Sequence, residues 1–177
     1  APTSLSVTRS SSNTTLIPLA NVVLGGSGAN RTVTVTPAPN LSGTATITLT
    51  VSDGSLMATE TFTVTVTAVN DVPTISNVAN QTIDEDGSTG ALAYTVGDIE
   101  TAPTSLTVTR SSSNTTLIPL ANVVLGGSGA NSTVTVTRTP NLSGTATITL
   151  TVSDGSLMAT ETFTVTVTAV NDVPTIS

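Results

Sequence analysis

The segment from Ala1 to Ser76 recurs as Ala102 to Ser177, and the two copies differ only at Ser6/Thr107, Arg31/Ser132, Pro37/Arg138 and Ala38/Thr139. Self-similarity at a fixed period constrains architecture more than any single motif. The shift of 101 residues, from Ala1 to Ala102, matches one β-sandwich domain and lies well above the roughly 20 to 50 residues of solenoid or propeller repeats. The chain therefore reads as a string of domains. Near identity between neighbours points to an array in which copy number sets length, so the first expected partners are further copies of the same repeat in the same chain.

What the chain lacks removes whole classes of function. There is no Cys and no His, which excludes zinc-finger, iron–sulfur and haem ligand sets as well as Cys–His and Ser–His–Asp nucleophile systems. All four basic residues are Arg (Arg9, Arg31, Arg110 and Arg138), so a Ser–Lys pair or a Schiff base is also excluded. With a net charge of -7 and only Phe62, Tyr94 and Phe163 as aromatics, the chain offers neither a phosphate-tracking patch nor a stacking platform for nucleic acid. No apolar run approaches the roughly 18 to 20 residues of a membrane-spanning helix.

The apolar residues alternate. Ala146, Ile148, Leu150 and Val152 are interleaved with Thr145, Thr147, Thr149 and Thr151; Phe163, Val165, Val167 and Ala169 are interleaved with Thr162, Thr164, Thr166 and Thr168. A period of two puts one set inward and leaves the Thr face to water. Strands are expected near Thr74–Val78, Ala91–Val96, Ser105–Arg110, Ala121–Leu125, Ser132–Thr137, Gly144–Ser153 and Ala159–Val170, with turns at Ser153-Asp154-Gly155 and Gly126-Gly127-Ser128-Gly129. The predicted fold class is all-β: tandem immunoglobulin-like antiparallel β-sandwiches of about seven strands. The expected organisation is a partial repeat over 1–71 that lacks its first strands, a complete repeat over 72–172, and the start of the next over 173–177.

The run Ile148-Thr-Leu-Thr-Val-Ser-Asp154-Gly155, followed by Phe163-Thr-Val-Thr-Val-Thr-Ala-Val-Asn171-Asp172-Val-Pro174, is similar to the last two strands and linker of cadherin-like repeats in large bacterial surface proteins and adhesins. The resemblance spans the whole repeat. It implies a bacterial protein, extracellular or at the cell surface, and domains joined by an Asn-Asp-x-Pro linker where acidic loops grip calcium (Ca2+). On that likeness Asp84-Glu85-Asp86 matches the acidic loop after the first strand, Asp98-Ile99-Glu100 the turn ending the second, and Asp154 the loop between the last two strands. Asn70 and Asp71 match the centre of the linker. Ala68 and Val72 stand where the family carries Asp and Asn, and its Asp-Arg-Glu triplet is missing.

Two roles fit these groups. Calcium takes six to eight oxygens, and carboxylates on short loops at one end of a sandwich can converge with linker oxygens. On this reading Asn70, Asp71, Asp98, Glu100 and Asp154 would serve a first junction, with Glu85, Asp86, Asn171 and Asp172 at a second. Alternatively, Asp and Asn close turns through side-chain to backbone hydrogen bonds.

No catalytic residue is proposed. The expected function is a structural repeat of an extracellular stalk, filament or fibre, with calcium stiffening its junctions if the first role holds. The alternative is an adhesin repeat that binds glycans or another cell surface. Because Ala1 falls at the start of a third strand, the missing strands are expected from the same continuous chain or from a neighbouring molecule, which would build a head-to-tail filament.

Overall fold

The computed structural model describes residues 5–173. The chain divides into two compact units, Ala1–Val69 and Asn70–Ser177.

Unit 1 contains β1 (Ser6–Ser11), β2 (Val22–Ser27), β3 (Asn30–Val35), β4 (Gly43–Ser52) and β5 (Met57–Val66). They form a three-stranded sheet in the order β1-β4-β5 and a separate pair, β2-β3, antiparallel throughout. The β2–β3 register pairs Ser27 with Asn30, so Gly28 and Ala29 make a two-residue turn. Gly28 has φ 59°, the positive value that favours glycine in such tight hairpins.

Unit 2 contains β6 (Thr74–Ile75), β7 (Gln81–Asp84), β8 (Ser88–Gly97), β9 (Thr107–Ser112), β10 (Val123–Ser128), β11 (Asn131–Thr137), β12 (Gly144–Ser153) and β13 (Met158–Thr168). They make two four-stranded sheets, β10-β11-β8-β6 and β7-β13-β12-β9. The all-β sandwich is as the alternation predicts, with an added strand, one parallel pairing, and the strand expected over Thr74–Val78 cut to Thr74–Ile75. An eighth strand is present: β7 spans only four residues and is too short for a period to show. It runs parallel to β13, whereas the other pairs in this unit are antiparallel.

The expected turn at Gly126-Gly127-Ser128-Gly129 also moves. β10 runs through Ser128, and Ser128 pairs with Asn131, so the turn is Gly129–Ala130. Gly127 is needed for another reason: it has φ 85°, and a Cβ there would run into the carbonyl oxygen of Asn131 on the paired strand.

The unit 2 core is filled from alternate positions of the long strands. Ala146, Ile148, Leu150, Val152, Phe163, Val165 and Val167 are buried and pack with Val134, Val136, Tyr94 and Val96. Ala169 lies beyond β13 and is exposed. Burial raises the pKa of the Tyr94 hydroxyl, while a hydrogen bond with Ser132 acts in the opposite direction. Unit 1 has a smaller core of Leu16, Ile17, Val22, Ala45 and Ile47. Its Leu49, Phe62, Val64 and Val66 are only half-buried, although their counterparts Leu150, Phe163, Val165 and Val167 are at most 2% exposed.

Candidate functional site at the linker

Unit 2 opens with Asn70 and Asp71, and two loops, one after β8 and one after β12, carry expected acidic groups that reach them. Asp154 follows β12 and closes the loop to β13: its Oδ1 accepts from the backbone amides of Ser156 and Leu157 at 2.6 and 2.7 Å. Its Oδ2 accepts from Asn70 Nδ2 at 2.7 Å. These donors, led by the Leu157 amide and then the Asn70 carboxamide, hold the Asp154 carboxyl below its ordinary range. Unit 1 provides an internal control. Asp53, in the matching loop, accepts from the Ser55 and Leu56 amides at 2.8 Å each; the Leu56 and Ser55 amides, with a smaller contribution from its own amide, hold its carboxyl below the ordinary range, and no side-chain donor adds to them.

Asp98 follows β8. Its Oδ1 accepts from the amides of Glu100 and Thr101 at 3.0 and 2.7 Å, while its Oδ2 is buried without a hydrogen-bond partner. Glu100 in turn reaches the linker, its Oε2 accepting from the Asp71 amide at 3.0 Å. The structure thus brings Asn70, the Asp71 backbone, Asp98, Glu100 and Asp154 into one hydrogen-bonded clasp. The Asp71 carboxylate takes no part in it among the hydrogen bonds of the described residues.

The second expected set is split. Glu85 is buried at 6% exposure, and its Oε1 accepts from the Val170 amide at 2.8 Å, just past the end of β13. Asp84 Oδ1 accepts from the Thr168 hydroxyl at 2.6 Å. Asp86 points elsewhere and meets Arg138 at 3.6 Å. Asn171 donates to the Asp172 carbonyl at 3.3 Å, the same contact that Asn70 makes with Asp71.

The donor chemistry decides how well these residues suit a cation. Calcium takes six to eight oxygens, yet Asp154 uses both of its oxygens on N–H donors, and Asn70 presents its NH2 group to that carboxylate. Among the described residues no group of three or more acidic side chains converges as a metal cluster. As folded, the clasp falls short of a calcium shell, and Asp98 Oδ2 is its one unpartnered buried oxygen.

Other polar residues with a clear structural task were not singled out in the sequence. Glu161 Oε1 accepts from Asn77 Nδ2 at 3.0 Å and from the Val78 amide at 3.2 Å. Asn80 Oδ1 accepts from the Thr164 amide at 2.7 Å, and Thr89 Oγ1 from the Val136 amide at 3.0 Å. A signal for Glu161 was available: it shares the inward face of β13 with Phe163 and Val165, a position where a lone carboxylate needs partners.

The model of the bacterial Ig domain matches residues 70–168, the larger part of the chain. The chain belongs to the bacterial Ig domain family. Its other repeat matches the cadherin-like domain over residues 5–67, so this bacterial Ig chain carries both likenesses on nearly identical sequence. Among curated proteins there is no match. Of solved structures, the titin domains z1z2 in complex with telethonin share 16% identity at a TM-score of 0.46, covering 94% of this chain and 83% of that one. The S-layer protein rSbsC(31-844) shares 23% at 0.43, covering 95% and 21%. An endo-fucoidan hydrolase of glycoside hydrolase family 107 shares 19% at 0.41, covering 94% and 24%. The bacterial Ig chain thus spans about a fifth to a quarter of the latter two, and likeness at this level bears on neither partners nor activity. No helix among the described residues is long and apolar enough to cross a membrane.

Proposed function

We propose that this chain is a structural, non-catalytic spacer: a run of bacterial Ig repeats in an extracellular stalk or filament, where copy number sets length. The observation that carries this reading is the repeat itself, in which a whole sandwich recurs with four differing pairs. The three aromatic side chains support it against the adhesin alternative. Tyr94 and Phe163 are buried in the core and Phe62 is half-buried, so none offers the exposed aromatic anchor that marks many binding hot spots. A glycan array and a cell-adhesion assay test the point: a spacer binds neither, and specific binding to either favours the adhesin reading.

Within this reading, the linker is fastened by the Asn70–Asp154 and Asp71–Glu100 hydrogen bonds. Calcium is a second reading, favoured by one observation, the unpartnered Asp98 Oδ2. A cation there would have to compete with amide donors for Asp154 and Glu100. Melting the chain in millimolar calcium and then in excess chelator separates the two. A hydrogen-bonded clasp gives the same transition in both, whereas a higher melting temperature with calcium, lost on Asp98→Asn, assigns the ion.

A further inference from the structure

The register that aligns β7 with β13 runs on past both ends of the strand pair. Backbone pairing covers only Gln81–Asp84 against Val165–Thr168. Beyond the Gln81 end, side chains keep the separation of 84 positions. Asn80 Oδ1 accepts from the Thr164 amide at 2.7 Å, and Glu161 Oε1 takes both Asn77 Nδ2 at 3.0 Å and the Val78 amide at 3.2 Å. At the other end Asp84 Oδ1 accepts from the Thr168 hydroxyl at 2.6 Å. The Glu85 amide donates to the Thr168 carbonyl at 3.0 Å, and Glu85 Oε1 accepts from the Val170 amide at 2.8 Å. The four-residue strand β7 is therefore the middle of a longer seam that joins 77–85 to 161–170.

The place of this seam in the chain gives it a mechanical role. β7 lies near the start of unit 2, β13 is its last strand, and the two run parallel. Tension along the chain draws β7 towards its Gln81 end and β13 towards its Thr168 end. The strands must then slide past one another with their evenly spaced bonds loaded together. β6 lies ahead on the same path, but only two pairs hold it to β8. We infer that the β7–β13 seam is the load-bearing element of unit 2, with Glu161 and Glu85 as the fasteners at its two ends. The inference rests on the spacer reading, in which tension along the chain is the working load.

Burial strengthens both fasteners. Glu85 is 6% exposed and Val78, held by Glu161, is 4% exposed, so water competes poorly for these charge-assisted bonds. The core is a separate matter. Leu150 packs on β12 in the centre of the sandwich and stays packed while the seam slides. Resistance to force and resistance to denaturant are therefore set by different residues.

The test is single-molecule force spectroscopy on the full chain, held at Ala1 and Ser177, with unit 2 read from the longer unfolding step. Glu161→Ala and Glu85→Ala each speed forced unfolding of unit 2 by roughly tenfold or more. Asn80→Ala removes a bond from an exposed side chain and leaves the fold in place, so it decides the matter even if the other two variants do not fold; it speeds forced unfolding by roughly threefold or more. Leu150→Ala, although costly in denaturant, changes the rate under force by less than Glu161→Ala or Glu85→Ala. Unchanged rates in the seam variants overturn the proposal, and so does a Leu150→Ala variant that speeds forced unfolding as much as they do. The two readings fail separately: a glycan or cell-surface ligand for the chain overturns the spacer reading and leaves these rates as they are.

Discussion

Asn70 Nδ2 lies 2.7 Å from Asp154 Oδ2, so a linker side chain is bonded to a loop carboxylate 84 positions later in the sequence. The same carboxylate closes its own loop through Ser156 and Leu157. One residue therefore both shapes the turn between β12 and β13 and holds the start of unit 2 against it.

Asn70→Ala should remove the linker half of this arrangement and leave the turn. The Asp154 pKa then rises towards that of Asp53, which has the two turn amides but no such side-chain donor. Carboxyl NMR titration of both residues checks this, and the unit 2 melting temperature falls by a few degrees.

Acid should weaken both loops. The folded-state pKa values of Asp53 and Asp154 lie below the ordinary value of 3.8, so their stabilisation is fully present above the ordinary carboxylate range. It is lost as the pH falls through the folded values. Stability followed from pH 6 to pH 2, on the order of the full carboxylate range, should decline at the acidic end, and less steeply for Asp154→Asn.

The same substitution should differ in cost between the copies. Leu150 is fully buried, and Leu150→Ala should cost about 2–5 kcal/mol. Leu49 lies in the same local sequence but is half-buried, and Leu49→Ala should cost only about 1–2 kcal/mol. Denaturant unfolding read from unit-specific NMR signals separates the two.

Glu161→Ala should release Asn77 and Val78 from β13. Charge-assisted hydrogen bonds of this kind contribute about 1.5–3 kcal/mol, so unit 2 loses stability and exchange quickens first around 77–84. Glu60→Ala has no equivalent bonds to break among those of the described residues, and should leave unit 1 close to its starting stability.

Much of this fold could be read from the alternation of Thr with Val, Ile and Leu, because a period of two fixes both strand type and inward face. That logic found β12 at its observed limits and β13 nearly so. It failed at β7, which is four residues long and takes its partner from the far end of the repeat. It also failed at Gly126 and Gly127, where glycine permits close strand approach instead of forming the turn. For the site, the acidic loops could be found, but their bonding could not. Whether Asp154 faces a cation or an amide depends on how Asn70 is oriented, and Asp86 turns to Arg138 because β11 happens to end beside it.

Pulling a single-molecule array of the 72–172 repeat shows whether each repeat is an independent structural spacer. Independent sandwiches give a sawtooth of equal steps, each releasing close to the extended length of 101 residues, about 330–360 Å less the folded length. Smooth extension at low force without discrete, equal steps would contradict that independence.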